Sequence, residues 1–334
     1  MGFLNFLLGS KESEKPTAAQ PVVTSAIKST VSFTERFIRI PSIGLFSPFK
    51  KSKSGEWIIC CSDSDGQGRG GHRESGHGRY VLYNLREDKV VLQGKLERPY
   101  SGGVADTGIF SVEDKHFGSD SSGTFYVFSP AGDQLIKHKL EANIFNSDIS
   151  DSGRFAICQT ANARLGEDGN RLVAFDVEKK IKLFSVHPTT GWADSYKFIE
   201  ETSHFAVVID KVGTFHYDVD GNFVDAKKYE AARLRCNEFN VVLLAAEEIL
   251  KEPDINKQRA EVALEATLRA RSLGADSDQY WKAMALKIQG LAYEALNSDE
   301  EALLAFDEAM KMSPKIGVKR KADALRKKLK DRAT

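Results

Sequence analysis

The sequence predicts a multidomain β + α chain: a small β-propeller of about four blades, followed by an α-helical domain. Three observations predict it. One motif, a small turn residue followed by an aromatic and a short apolar run, recurs at Ser54-Gly55-Glu56-Trp57-Ile58-Ile59, Thr107-Gly108-Ile109-Phe110-Ser111-Val112, Ser152-Gly153-Arg154-Phe155-Ala156-Ile157 and Ser203-His204-Phe205-Ala206-Val207-Val208. Strand repeats with a period of about 40–50 residues mark propeller blades. Composition then changes near residue 226, where Ala, Leu, Glu, Lys and Arg replace β-branched runs, and those residues favour helix.

Each repeat supplies four short strands. The motif itself is one. A second begins at Gly78-Arg79-Tyr80, Gly123-Thr124-Phe125, Asn170-Arg171-Leu172 and Gly213-Thr214-Phe215. A third follows at Lys89–Leu92, Gln134–Lys137, Ile181–Phe184 and Asn222–Val224. One more apolar segment precedes each motif: Ile43–Phe46, Val104-Ala105, Ile144–Ile149 and Tyr196–Ile199. β-branched and aromatic runs bounded by Gly, Asp, Asn and Ser are strand and turn signals. A single four-stranded unit has two apolar faces, so Trp57, Phe110, Phe155 and Phe205 are expected between neighbouring sheets. Each such side chain contributes roughly 1.5–3 kcal/mol when fully buried. Val31–Ile40 alternates in polarity and reads as one extra strand, completing a ring or opening a fifth blade. A two-sheet sandwich is the alternative packing of the same strands.

The repeats, best seen in Ser150-Asp151-Ser152-Gly153-Arg154-Phe155-Ala156, resemble WD40-like and quinoprotein-like propellers over about residues 43–225. The likeness is generic, no Trp-Asp dipeptide is present, and no functional residue is carried over. From Ala283 to Ile316 the chain resembles a tetratricopeptide repeat (TPR): Leu286, Gly290, Tyr293, Ala302, Phe306, Ala309 and Pro314 fall at that family's signature spacing. Gly290 and Ala302 allow close helix approach, Tyr293 and Phe306 fill the space around them, Asn297-Ser298-Asp299 turns and caps the second helix, and Pro314 stops it. Ala231–Leu273 reads as a degenerate pair of the same type, divided at Pro253 and ended by Gly274. A last helix places Val318, Ala322, Leu325 and Leu329 on one face, with a basic face opposite. The expected domains are therefore 1–30 (apolar segment and linker), 31–225 (propeller-like) and 226–334 (TPR-like).

Lys plus Arg number 47 and Asp plus Glu number 47. That balance argues against broad electrostatic binding of nucleic acid, leaving only a local contact through the basic last helix. Four cysteines in 334 residues do not make a disulfide framework, and reduced buried thiols point to the cytoplasm. Adjacent Cys60 and Cys61 should point to opposite sheet faces. Phe3, Leu4, Phe6, Leu7 and Leu8 are too few to span a bilayer. Their burial would gain about 7–15 kcal/mol, against about 1–2 kcal/mol per ordered residue, so peripheral membrane contact by residues 3–8 would be weak.

The loop from Asp63 to Gly78 contains Gly66-x-Gly68-x-x-Gly71, but a strand follows it and not the helix that a dinucleotide site requires. Asp63, Asp65, His72 and His77 are weak metal-ligand candidates without a supporting third-ligand pattern. This loop and the one over 160–170 both join second and third strands. They should project from one rim, making Arg69, Arg73, Arg164 and Asp168 the candidate partner-binding residues. No nucleophile–base pair and no cofactor motif stands out. The expected function is a non-enzymatic protein–protein interaction scaffold using rim loops and a helical groove. The alternative is a propeller enzyme or small-ligand sensor with an axial pocket holding a perturbed titratable group.

Overall fold

The computed structural model describes residues 22–23, 31–63, 75–117, 122–163 and 166–333. Seven strands form the first sheet: β1 (Val22–Val23), β2 (Ser32–Phe33), β3 (Phe37–Ile40), β4 (Leu45–Lys51), β5 (Trp57–Ser62), β6 (Gly78–Asn84) and β7 (Lys89–Leu96), in the order β1-β7-β6-β5-β4-β3-β2. The second sheet holds β8 (Pro99–Ser101), β9 (Phe110–Lys115), β10 (Gly123–Phe128) and β11 (Gln134–Leu140). The third holds β12 (Ile144–Ile149), β13 (Phe155–Thr160), β14 (Leu172–Asp176) and β15 (Ile181–Val186). A fourth, of three strands, holds β16 (Ser195–Ile199), β17 (His204–Ile209) and β18 (Gly213–Tyr217). Helices α1 (Ala226–Arg235), α2 (Phe239–Ile249), α3 (Lys257–Ser272), α4 (Gln279–Ala295), α5 (Asp299–Met312) and α6 (Lys319–Ala333) follow. The chain divides into two compact units, one of residues 1–204 with 219–221 and the other of 205–218 with 222–334.

In the first unit, sheet stacks on sheet as in a propeller. Tyr80, Leu82 and Leu92 of the first sheet share one apolar layer with Phe110, Tyr126 and Phe128 of the second. Phe125 and Val127 turn the other way, into a layer with Ala156, Cys158, Val173 and Phe175 of the third. Period-two alternation makes this possible, because both faces of a middle blade are buried. Cys60 and Cys61 obey it too, lying in different layers, and all four thiols are unbridged and buried.

The turns before β5, β9 and β13 are also joined. Ser54 N–H donates to Asp106 Oδ1 at 2.7 Å, and Asp106 N–H donates to the Asp151 carbonyl at 2.8 Å. Thr107 Oγ1 donates to the Ser152 carbonyl at 3.0 Å, and Ser152 Oγ donates to Glu200 Oε1 at 2.7 Å.

Several strand expectations change. Val31–Ile40 is two short strands, because Thr34 accepts the Phe37 N–H on its hydroxyl and turns the chain. The inner strand of the second sheet is Pro99–Ser101, with Val104 contributing one isolated bridge. Asn222–Val224 makes no strand, only a Tyr217–Phe223 bridge. Phe110, Phe155 and Phe205 are buried and Trp57 is half-buried, but Phe110 faces opposite to Trp57. Ser52 N–H reaches the Trp57 carbonyl and Ser150 N–H the Phe155 carbonyl, whereas Ala105 N–H reaches Ile109. The second turn is one residue shorter, and a one-residue shift exchanges sheet faces. Ile109 is therefore the counterpart of Trp57. Its side chain lies against Gly153 just as the Trp57 ring lies against Gly108.

In the second unit the helices pack through small residues. Ala263, Ala270, Ala285 and Ile288 share a core with Val242 and Leu243. A Cβ at Gly290 would sit 2.5 Å from the Phe306 ring, so glycine sets how closely α4 and α5 approach. Phe306, Ala302, Val318, Ala322 and Leu325 form the next cluster, with Tyr293 at its edge. Pro253 separates α2 from α3, Gly274 follows α3 at φ +111°, and Pro314 lies just past α5. Ser298 occupies the position before α5 without a side-chain cap. The buried Asp299 carboxylate instead receives Lys328 Nζ at 2.8 Å and Arg332 at 2.6 Å from α6, and these hold it below the usual carboxylate range.

Candidate interaction rim

Strand register defines one loop-bearing edge of the stacked sheets. The start of each inner strand pairs with the end of its neighbour, where the long loops depart. In the second sheet Pro99 pairs with Asp114 and Ser101 with Glu113, leaving Tyr100 as an extra residue. In the third, Ile144 pairs with Thr160 and Asn146 with Gln159, leaving Phe145 extra. Bulges re-aim side chains, and these two sit at the same place on consecutive blades. Tyr100 is 56% exposed and Phe145 49%.

Both aromatics are held. Lys115 Nζ lies 3.4 Å from the Tyr100 ring centroid, a cation–π contact, and burial lowers the Lys115 pKa. Phe145 stacks on Trp192 with centroids 5.5 Å apart. Trp192 is itself 42% exposed, and its Nε1 donates to the Thr160 carbonyl at 3.1 Å.

Beneath the bulges, Glu113 and Gln159 occupy matching positions and reach toward later strands. Glu113 Oε1 accepts the Ser147 hydroxyl at 2.6 Å. Gln159 Oε1 accepts the Ala193 N–H at 2.9 Å, and its Nε2 donates to the Gly191 carbonyl at 2.9 Å. Tyr196 Oη donates to Asn146 Oδ1 at 2.5 Å. Burial raises the pKa of Glu113 and of Asp148. It pushes Asp114 up to about 7, although the Arg98 N–H donates to its carboxylate at 2.7 Å. The perturbed carboxyls Glu113 and Asp114 are thus joined to the fold's own donors.

The sequence candidates distribute as follows. Asp168 lies on the 160–171 loop, where its Oδ2 accepts the Glu141 N–H at 2.8 Å and its carbonyl accepts the Thr160 hydroxyl at 2.5 Å. Next to it, Asn162, Ala163, Glu167, Arg171 and His187 line an open pocket. Arg69, Arg73, Arg164, Asp65 and His72 lie outside the described residues. Asp63 directly follows β5 and accepts the Arg98 guanidinium at 3.0 Å. His77 directly precedes β6. Among the described residues no three His, Cys, Asp or Glu side chains are arranged to hold a metal ion, and no helix is long and apolar enough to cross a membrane. On α6, Lys321 pairs with Glu294 at 2.5 Å, Arg326 with Asp307 and Asp323, and Lys328 and Arg332 with Asp299. Much of that basic face therefore serves the helical array itself.

Sequence reading located the loops but missed Tyr100, Phe145 and Trp192.

No protein-family model matches the sequence, and no curated protein matches it. Among solved structures the chain is similar to a component of a mitotic checkpoint complex, at 13% identity, covering 67% of this chain and 74% of that one, with a TM-score of 0.36. It is also similar to the Myceliophteria thermophila Cps50 (Swd1) β-propeller domain, at 10% identity, 59% and 68% coverage and a TM-score of 0.32. The Neurospora crassa Pan2 WD40 domain follows at 11% identity, 59% and 61% coverage and a TM-score of 0.33. The four-sheet architecture described above rests on strand pairing and stands independently of these likenesses.

Proposed function

We propose that this chain is a non-enzymatic, cytoplasmic interaction scaffold that engages a protein partner through the loop-bearing rim. A TPR-like helical groove offers a second surface. One observation carries the reading: Tyr100 and Phe145 occupy equivalent bulges on consecutive blades, and both present aromatic surface at the edge where the long loops leave. Exposed aromatics on a rigid frame bind with little loss of rotamer freedom, and such residues dominate interface energetics. The buried Glu113 and Gln159 contacts below them supply the rigidity. In the helical unit, the Gly290–Phe306 approach and the exposed Tyr280 and Leu304 support the groove.

The test places a photo-crosslinking phenylalanine analogue at position 145 in the full chain. The Tyr100→Ser/Phe145→Ser double variant is then compared for binding of the crosslinked protein. The expected result is one recurrent partner whose affinity falls by the equivalent of about 2 kcal/mol or more in the double variant. Unchanged affinity, or repeated recovery of the chain alone, would remove the rim from consideration.

A further inference from the structure

The first sheet carries a second aromatic surface, away from the two bulges, on its extension β2-β3-β4. Pairing sets its two faces. Phe37 opposes Pro48 and Arg39 opposes Phe46, while Ile38 opposes Ser47 and Ile40 opposes Leu45. Ile38, Ile40, Leu45 and Ser47 are buried. The opposite face therefore presents Phe37, Arg39, Phe46 and Pro48. Phe46 is 58% exposed and Phe37 37%, and their rings stack with centroids 5.0 Å apart and planes at 12°. A core face this well filled fixes the register, so the outer aromatic pair is held in place and not merely left over.

The segment that carries this pair is one-sided in charge. Between residues 31 and 53 stand Arg36, Arg39, Lys50, Lys51 and Lys53, against the single acid Glu35. Lys53 is committed to Asp151 at 2.5 Å. Lys51 lies over the Phe33 ring at 4.5 Å, on the other side of the sheet, where Phe33 opposes Ile38. Arg36 and Arg39 are exposed and have no acidic partner among the described residues. The chain as a whole has a formal charge of zero, so Arg39, directly opposite Phe46, and Arg36, in the turn before Phe37, are a local excess of cations beside the aromatic pair.

We infer that the Phe37–Phe46 face is a docking site for an acidic segment of a partner protein, with aliphatic or aromatic anchors seated on the two rings and carboxylates meeting Arg36 and Arg39. Charge complementarity selects the acidic occupant. A protein segment fits better than single-stranded nucleic acid for two reasons. Each ring spends one face on the other, leaving less surface for base stacking. Two arginines also make a short track for a phosphate backbone. The inference shares the interaction reading proposed above but names a different surface and a partner chemistry.

The probe is a short fluorescein-labelled peptide alternating Glu and Leu around a central Phe, titrated with the full chain by fluorescence anisotropy. Oligo(U) and vesicles of anionic phospholipid are titrated in parallel. Phe37→Ser/Phe46→Ser should weaken peptide binding by about tenfold or more, and Arg39→Gln should weaken it and flatten its salt dependence. Arg39 is exposed and outside the core layer, so that variant keeps the test valid if the double variant misfolds. Tyr100→Ser/Phe145→Ser should bind the peptide normally. Four outcomes overturn the inference: no peptide binding, equal binding by the face variants, loss only in the rim variant, or tighter binding of oligo(U) or vesicles through this same face. Loss only in the rim variant would leave the rim proposal standing, which separates the two failures.

Discussion

The stacked sheets and the helical array solve the same burial problem with different side chains. The sheets fill their layers with large rings such as Tyr80, Phe110 and Phe128, which pack with centroids 5.4–5.8 Å apart. The helices approach through residues that are nearly absent, Gly290 and the buried alanines, and add ion pairs at their surfaces. In the sheets, turn length decides which face a ring takes. In the helices, a missing side chain decides how near two backbones come. A sheet tolerates substitution of one ring for another better than a changed turn; the helical array should tolerate neither a larger residue at 290 nor a smaller one at 306.

The largest effect that would sharpen this contrast is at that helical contact. Phe306→Ala should cost about 3–5 kcal/mol, and Gly290→Val about 1–3 kcal/mol from overpacking, both read by urea denaturation. Near-zero cost at Gly290 would break the comparison. The next effect belongs to the sheets. Burial raises Asp114 from 3.8 to about 7, so the folded state binds that proton more tightly than the unfolded state. Its stabilisation is complete below pH ~4, declines as pH rises toward about 7, and is gone above that. Glu113 and Asp148 shift in the same direction. Asp114→Asn should flatten the stability–pH curve in this window by an amount on the order of a few kcal/mol; an unchanged curve would show that this carboxyl is not the titrating group. The smallest effect is at Arg259, which pairs with Glu230 at 2.7 Å and also with Glu252. Both carboxylates are exposed and Arg259 partly so, so Arg259→Gln should cost at most about 1 kcal/mol, diminishing in high salt.

The sequence made much of this visible and hid specific parts. Strands beginning at Gly78, Gly123 and Gly213 were legible because glycine and a β-branched or aromatic run coincide there. Phe110 is buried between neighbouring sheets as expected, but which neighbour it faces was hidden, because a one-residue turn deletion leaves the apolar pattern intact while reversing the face. The extra strand over 31–40 broke in two at Thr34, whose hydroxyl competes for local backbone N–H groups. Ser298 looked like a cap, but the neighbouring Asp299 carries the interaction through cations supplied from α6, a long-range fact that no local motif encodes. Tyr100 and Phe145 escaped for a different reason. A bulge is a property of two paired strands, and each strand read alone gives no sign of it. The Asp63–Gly78 and 160–170 segments were singled out by length and composition, which suggest where a rim can be but not which side chains it displays.

The joined turns have a temporal consequence. Ser54 waits for Asp106, Asp106 waits for Asp151, and Ser152 waits for Glu200. Each acceptor is translated after its donor, roughly one blade later, and domains are built N-terminal first during synthesis. A nascent chain halted after the first, second or third blade therefore carries an open clasp at its newest end until the following blade emerges to fasten it.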